Sequence, residues 1–594
     1  MKINQYVETW DLDVFFLGGS DSEEFKQYLK ELESLMNRFR VHAEQCHGME
    51  QLPSLLDEYK TVAAKIREAS AFVNCLKAQN TADKKASQLG NTVTSLYAEL
   101  NNILTLVDQK LVSIHDSEWE LGLQWEELKE LSFVINERRR RAKEKLSLEE
   151  ETLIQSLSVD GYHSWGEMYA DIVAKMTIPF EENGKVEQLS VGQASNKFSH
   201  PDRTVRKQVA EEWEKAWGNQ ADLFTRTLNH LGGYRLAVYK KRGWEDVLKE
   251  PLDLNRMEKE TLDMMWKQIE QYKAPLVRYL QRKAELLGID QVAWYDLDAP
   301  VGKVTGKVSY QEGAEFIIRH FGKFGKKLQN FTEHAFLDRW IEAEDRPGKR
   351  PGGFCTSFPE SGQSRIFMTY SGTPGNIATL AHELGHAFHQ YAMKGVHPLN
   401  SFYAMNVAET ASTFAEMIVA DASVREARTK EEKVALLEDK LQRSVALLMN
   451  IHARFLFETA FYEERKKGWV STERLNELMY QAQQQAYSGA LAEYYPYFWA
   501  SKLHFHITGV PFYNFPYTFG YLFSLGIYAR ALEEGTAFED KYIALLKDTG
   551  SMQVEDLAYK HLQVDLTQKD FWEHGLKLIA QEVEEFLELT EDMI

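Results

Sequence analysis

The sequence predicts a mainly α-helical fold carrying one small β-element, and three observations lead there. Apolar residues recur at spacings of three and four over long stretches, the mark of a buried helical face. Pro and Gly are sparse across residues 52–146. Only two short runs, Phe354–Phe358 and Arg365–Tyr370, read as strands, joined by Pro359-Glu360-Ser361-Gly362 as a hairpin or edge pair.

Phe25, Leu29, Leu32, Met36 and Phe39 define the first helical face, with Ser20 and Glu23 as a capping box before it. Leu52–Lys77, Ala82–Ser113 and Ser117–Leu146 repeat the pattern. Residues 1–190 therefore read as an N-terminal helical domain of long antiparallel helices. The pattern breaks at Thr177-Ile178-Pro179-Phe180-Glu181-Glu182-Asn183-Gly184, and residues 191–594 form the second domain. Helical patterns resume near Asp202, interrupted by polar stretches at Asp298–Gly306 and Asp345–Gly353. The run Arg138–Arg141 is flanked by Glu137, Glu144 and Glu149–Glu151 and reads as a solvated helix face.

The 594 residues are 44% hydrophobic and 27% charged, enough apolar material for a sizeable core. A net charge of −20 argues against a general nucleic-acid binder, which needs clustered cations for phosphates. Three cysteines supply neither a disulfide framework nor a CxxC zinc site, as expected in a reducing compartment. The start, Met1-Lys2-Ile3-Asn4-Gln5, lacks an apolar signal run, and Phe515–Ala529 is too short and polar for a membrane span. The expected location is the cytoplasm, with no membrane partner.

Residues 382–386 read His-Glu-Leu-Gly-His. On a helix, positions i and i+4 share a face, so both imidazoles reach one tetrahedral ion. Glu383, one residue along, is turned toward a water on that ion and is its candidate base. Thr373 or Asn376 can cap the helix and Pro374 suits its first turn. Two histidines and a glutamate buried on one apolar helix without a metal would leave costly unsatisfied groups. The metzincin extension fails, because His389 and Ala392 stand where Gly and His are required. His389, two turns from His382, reads as a packing or supporting residue.

The third ligand is sought on the next helical stretch, Phe402–Glu416, where Glu409 and Glu416 share a face. Ala408, Ala411 and Ala415 are small enough for two helices to approach closely. Two histidines and a glutamate make a catalytic zinc set. Further on, aromatic residues crowd between Tyr494 and Tyr528. With Pro516 opening a helix, Tyr517, Tyr521, Ser524 and Tyr528 would share a face, as an aromatic core stripe or as oxyanion donors. No G-x-S-x-G elbow or phosphate-binding loop is present, and nothing marks Cys355 as an activated nucleophile.

Three runs together resemble the oligoendopeptidase F branch of the thimet-oligopeptidase-like (M3) zinc peptidases: Thr379–Ala387, Ala408-Glu409-Thr410-Ala411-Ser412 and Pro511–Leu522. Leu146-Ser147-Leu148-Glu149-Glu150-Glu151 resembles that branch's N-terminal domain. The resemblance covers about residues 110 to 580. It implies two helical halves around a deep substrate channel, zincin-like active-site helices and one Zn2+ per chain. It implies His382, His386 and Glu409 as ligands, Glu383 as base, and a downstream histidine, His504 or His506, with Tyr521 as oxyanion donors. Thimet-type members carry a tyrosine three residues before Tyr521; this chain has Thr518, so Tyr513 or Tyr517 takes that role in contacting substrate. The implied activity is hydrolysis of internal bonds in short peptides. The rivals are an exopeptidase of dipeptidyl carboxypeptidase type and a non-catalytic peptide-binding module. The Arg365–Tyr370 strand is expected to offer its edge to an extended peptide.

Overall fold

Long helices account for most of the chain, and each has a sequence reason. The computed structural model describes residues 5–182, 184–302 and 306–593, apart from the Pro374 side chain. Met1–Asn4, Asn183 at the pattern break and residues 303–305 of the first polar stretch lie outside the described residues. Glu23–Gln45 buries Phe25, Leu29, Leu32, Met36 and Phe39, the face read from the sequence. Its cap, however, is Ser22, whose hydroxyl accepts from Phe25 N at 3.2 Å. Ser20 falls in a preceding 3-10 turn, Gly19–Asp21, one residue too early to reach the first-turn amides.

Leu52–Gln79 and Lys84–Ser113 follow as expected. The third stretch does not stay whole and splits into Asp116–Gly122, Glu126–Lys129 and Ser132–Lys143. Gly122, the last residue of the first piece, packs against Met49, and a Cβ there would fall 2.0 Å from Met49 Cε. The arginine run is less solvated than expected. Arg139 is buried against the Leu111 and Ile114 carbonyls, Arg138 pairs with Asp108 at 2.8 Å, and Arg141 pairs with Glu137 at 3.0 Å. The pattern break at 177–184 is a hairpin, Thr177–Glu182 against Lys185–Ser190. Asp202 caps the forty-residue helix Arg203–Arg242.

The chain divides into two units that are not sequential halves. The first is Met1–Lys145, Gly306–Ala422 and Arg530–Gln563; the second is Leu146–Thr305, Ser423–Ala529 and Val564–Ile594. One core joins Trp10, the first three long helices and Phe358, Phe367 and Leu399 in the first unit. In the second, buried polar groups are paired: Arg206 with Asp296 at 3.0 Å, and Lys283 with Glu438 at 2.7 Å. Unpaired, such charges would be costly to bury.

The first unit holds a three-stranded sheet. Gln363–Phe367 is its middle strand, parallel to Ile341–Glu342 and antiparallel to Phe354–Phe358. This corrects the edge expected of Arg365–Tyr370: Met368 N and Tyr370 N donate to the carbonyls of Glu342 and Ala343. The two edge strands are Ile341–Glu342 and Phe354–Phe358. Among the described residues, no helix is long and apolar enough to cross a membrane.

Ser22→Ala is expected to speed amide exchange at Phe25 about fivefold, from the roughly 1 kcal/mol an N-cap contributes. Ser20→Ala should leave that rate unchanged in the same hydrogen-exchange measurement.

Candidate metal centre

The helix Pro374–Ala392 starts on a capping box, in which Thr373 accepts from Asn376 N and Asn376 Oδ1 accepts from Thr373 N. It carries His382, Glu383 and His386. Opposite it, the chain turns at Glu409 between two helices, Met405–Ala408 and Thr410–Glu426. Gly385 sets their separation. A Cβ at that position would lie 2.5 Å from the Ala411 carbonyl oxygen and 2.6 Å from Ser412 Cα, so only glycine permits this approach.

The approach brings Glu409 Oε2 to 3.2 Å from His382 Nε2 and 3.4 Å from His386 Nε2. Two ligands held about 2.0–2.1 Å from one tetrahedral ion stand about 3.4 Å apart. One donor atom from each of the three residues lies within 4.8 Å of the others, so the trio can hold a metal. Ser412 Oγ donates to Glu409 Oε2 at 2.7 Å and steadies it. Glu416, the rival ligand, lies instead at the far nitrogen of His382, 3.1 Å from Nδ1. From there it orients the ring and leaves Nε2 for the metal side.

Glu383 is buried, and its Oε2 has no hydrogen-bond partner among the described residues. Burial lifts its carboxyl above the usual range, and the imidazoles of His386 and His382 reverse this only in part. Burial also pushes Glu409 upward, but hydrogen bonds to His382 and His386 outweigh it and hold that carboxyl far below the usual range. An orphaned buried carboxylate oxygen beside two nitrogens and a carboxylate that converge is the arrangement a divalent ion and its water would satisfy.

These side chains line a cavity of about 550 Å³, within the span usual for ligand sites, about 300–1,000 Å³. Cys355, Thr356 and Ser357 of the edge strand Phe354–Phe358 share its wall, with Arg67, Gln390 and Tyr403. Gly353 comes close to Glu383, and a Cβ there would lie 3.2 Å from Oε1. Burial, with Glu383 nearby, pushes the Cys355 thiol well up, away from the reactive thiolate form. His389 is a packing residue. It stacks on Tyr403 at 4.3 Å and meets Thr549 Oγ1 at 2.9 Å, and burial lowers its pKa to about 3.

The downstream residues belong to the second unit. His504, Tyr513 and Tyr517 cluster there, with ring centroids 5.0, 5.9 and 5.2 Å apart. His506 is buried instead, stacked on Tyr169 at 3.9 Å with Thr227 Oγ1 3.3 Å from Nδ1. Tyr521 is buried with its hydroxyl 2.8 Å from Ser444 Oγ, and burial pushes its pKa up to about 12. Sequence reasoning missed Arg67, Ser412 and Gly353. The Gly352-Gly353 pair was a usable signal, because glycine marks close approach.

The profile of peptidase family M3 matches residues 198–578. The chain belongs to peptidase family M3. A second profile, oligopeptidase F, matches residues 110–178. Oligopeptidase PepF of Bacillus subtilis is 24% identical over 592 residues, covering 98% of this chain and 87% of that protein. An oligoendopeptidase F homolog of Lactococcus lactis is 22% identical, covering 98% and 97%. Among solved structures, a chain from Chlamydophila abortus described as a peptidase superposes with a TM-score of 0.86 at 19% identity, covering 99% of this chain and 98% of that one. Oligoendopeptidase-F from Enterococcus faecium gives 0.69 at 19%, covering 96% and 100%. Membership in M3 marks the chain as a peptidase.

Gly385→Ala is expected to force the two helices apart. Overpacking of this kind costs about 1–3 kcal/mol, so thermal melting should fall and metal affinity, measured by chelator competition, should drop with it.

Proposed function

We propose that this chain is a zinc-dependent oligoendopeptidase that hydrolyses internal bonds of short peptides. The convergence of His382, His386 and Glu409 beside Glu383 in one cavity carries the reading. Zinc held by these three residues supplies Lewis acidity toward water and the scissile carbonyl. Glu383 takes the proton of the attacking water and passes it to the leaving amide nitrogen. Burial, which raises its pKa, suits it to take a proton and give it back. In this reading the peptide lies extended along Phe354–Phe358, an edge strand that lines the cavity, pairing by strand addition.

His504, with Tyr513 and Tyr517, is the donor set for the oxyanion in this reading. Burial and the nearby Arg454 and Lys502 charges lower the His504 pKa to about 4, so the ring is neutral and can donate an N–H. His506 and Tyr521 are less suited, since their polar atoms are buried among Thr227 and Ser444. Preference for short peptides follows the names of the relatives, oligopeptidase and oligoendopeptidase F. Three unpaired cysteines support a cytoplasmic location.

Glu383→Gln should lower kcat by several decades while bound zinc, measured by elemental analysis, stays near one per chain. The wild type should cleave peptides blocked at both ends, as read by mass spectrometry; cleavage only of free-ended peptides would favour the exopeptidase. Tyr513→Phe and His504→Ala should each lower kcat about 10²-fold, from the loss of an oxyanion donor. Tyr521→Phe should change kcat less than about threefold, and a larger loss there than at Tyr513 would return the role to Tyr521.

A further inference from the structure

A second cavity, about 230 Å³, adjoins the first within the same unit, sharing Arg67, Ser357 and Gln390 with it. Lys60, Arg67 and Lys394 line it, and no Asp or Glu does. In a chain of net charge −20 this is a local reversal of sign. The three cations come from separate places: Lys60 and Arg67 from the helix Leu52–Gln79, and Lys394 from the turn after Pro374–Ala392.

None of the three forms an ion pair among the described residues. Arg67 donates only to neutral oxygens: Ser401 Oγ at 3.0 Å, Ser357 Oγ at 3.0 Å and Gln390 Oε1 at 3.4 Å. These bonds fix the guanidinium plane and leave its charge uncompensated. The nearby carboxylate of Glu360 is engaged elsewhere, with Lys65 at 3.3 Å and Tyr28 at 2.5 Å. Phe331, Trp340 and Tyr391 give the cavity an apolar wall, suited to the stem of a side chain whose head is charged.

The edge strand links the two cavities. Gly353–Ser357 line the first and Ser357–Pro359 line the second. Gly353 stands against Glu383, and the run from there to Pro359 spans about 20 Å of extended chain at roughly 3.3 Å per residue. A peptide lying along the strand at the metal centre therefore reaches the cationic cavity about four to six residues from the bond being cut.

We propose that this second cavity is a subsite for a carboxylate of the bound peptide, an acidic side chain or the terminal carboxylate. The inference rests on the peptidase reading and adds to it a preference for acidic peptides on one side of the cut. The test compares matched peptides with Glu or Gln scanned along the chain, each as free acid and as C-terminal amide. Each enzyme's own rate on the neutral peptide is its reference, so a general loss cancels.

For the wild-type holoenzyme, kcat/KM should favour the acidic peptide about tenfold at one position four to six residues from the cut, and 0.5 M NaCl should reduce this severalfold. Lys60→Ala with Lys394→Ala should bring the ratio below about three, and Lys394→Glu should invert it. A ratio tracking Glu against Gln in amidated peptides assigns the site to side chains; one tracking only free acid against amide assigns it to the C-terminus. A wild-type ratio near one, or a ratio unchanged in the double variant, overturns the proposal. Binding of the same peptides to the zinc-loaded Glu383→Gln protein, by fluorescence anisotropy, separates the two readings. An acid preference in affinity with no cleavage by the wild type would defeat the peptidase reading and leave the subsite standing.

Discussion

One steric contact governs the metal centre: the helix bearing the two histidines and the helix bearing Ala411 meet backbone to backbone at Gly385. Any side chain there would separate them, and the distances from Glu409 to the two imidazoles follow from that contact. Coordination tolerates errors of only a few tenths of an ångström, so the site needs rigid support. The capped start of Pro374–Ala392, the Ser412 bond to Glu409 and the Glu416 bond to His382 supply it. Each removes a rotation that would otherwise be frozen only when metal binds.

Electrostatics divide the labour between the two carboxylates of the centre. They shift in opposite directions, because two imidazole nitrogens stand beside Glu409 Oε2 while Glu383 Oε2 is buried with no hydrogen-bond partner among the described residues. A carboxylate held ionised suits a ligand, and one raised toward neutrality suits a group that takes and returns a proton. The same cavity is lined by the edge strand Phe354–Phe358, so the strand and Glu383 share one wall.

Much of this was legible in the sequence because it depends on short-range geometry. The spacing of His382 and His386 is a helical turn, and the apolar face from Phe25 to Phe39 is a helical stripe. What depended on tertiary contact was not legible. Spacing alone left Glu409 and Glu416 open, and it was the resemblance that named Glu409; the break in helix at residue 409, which separates the two, is not visible in two same-face glutamates. The edge strand was misassigned because strand order depends on the distant Ile341–Glu342 pairing. The 177–190 hairpin hid behind Pro179 and a largely exposed, polar second strand. Tyr521 and Tyr517 lie one turn apart on the same helix, and only packing separates the one bonded to Ser444 from the one beside His504.

The most direct measurement is X-ray absorption at the zinc edge on the zinc-loaded protein. The account predicts two imidazole nitrogens and carboxylate or water oxygens at about 2.0–2.2 Å, with one imidazole lost in His386→Ala. A sulfur shell near 2.3 Å, or a spectrum unchanged by His386→Ala, would contradict it.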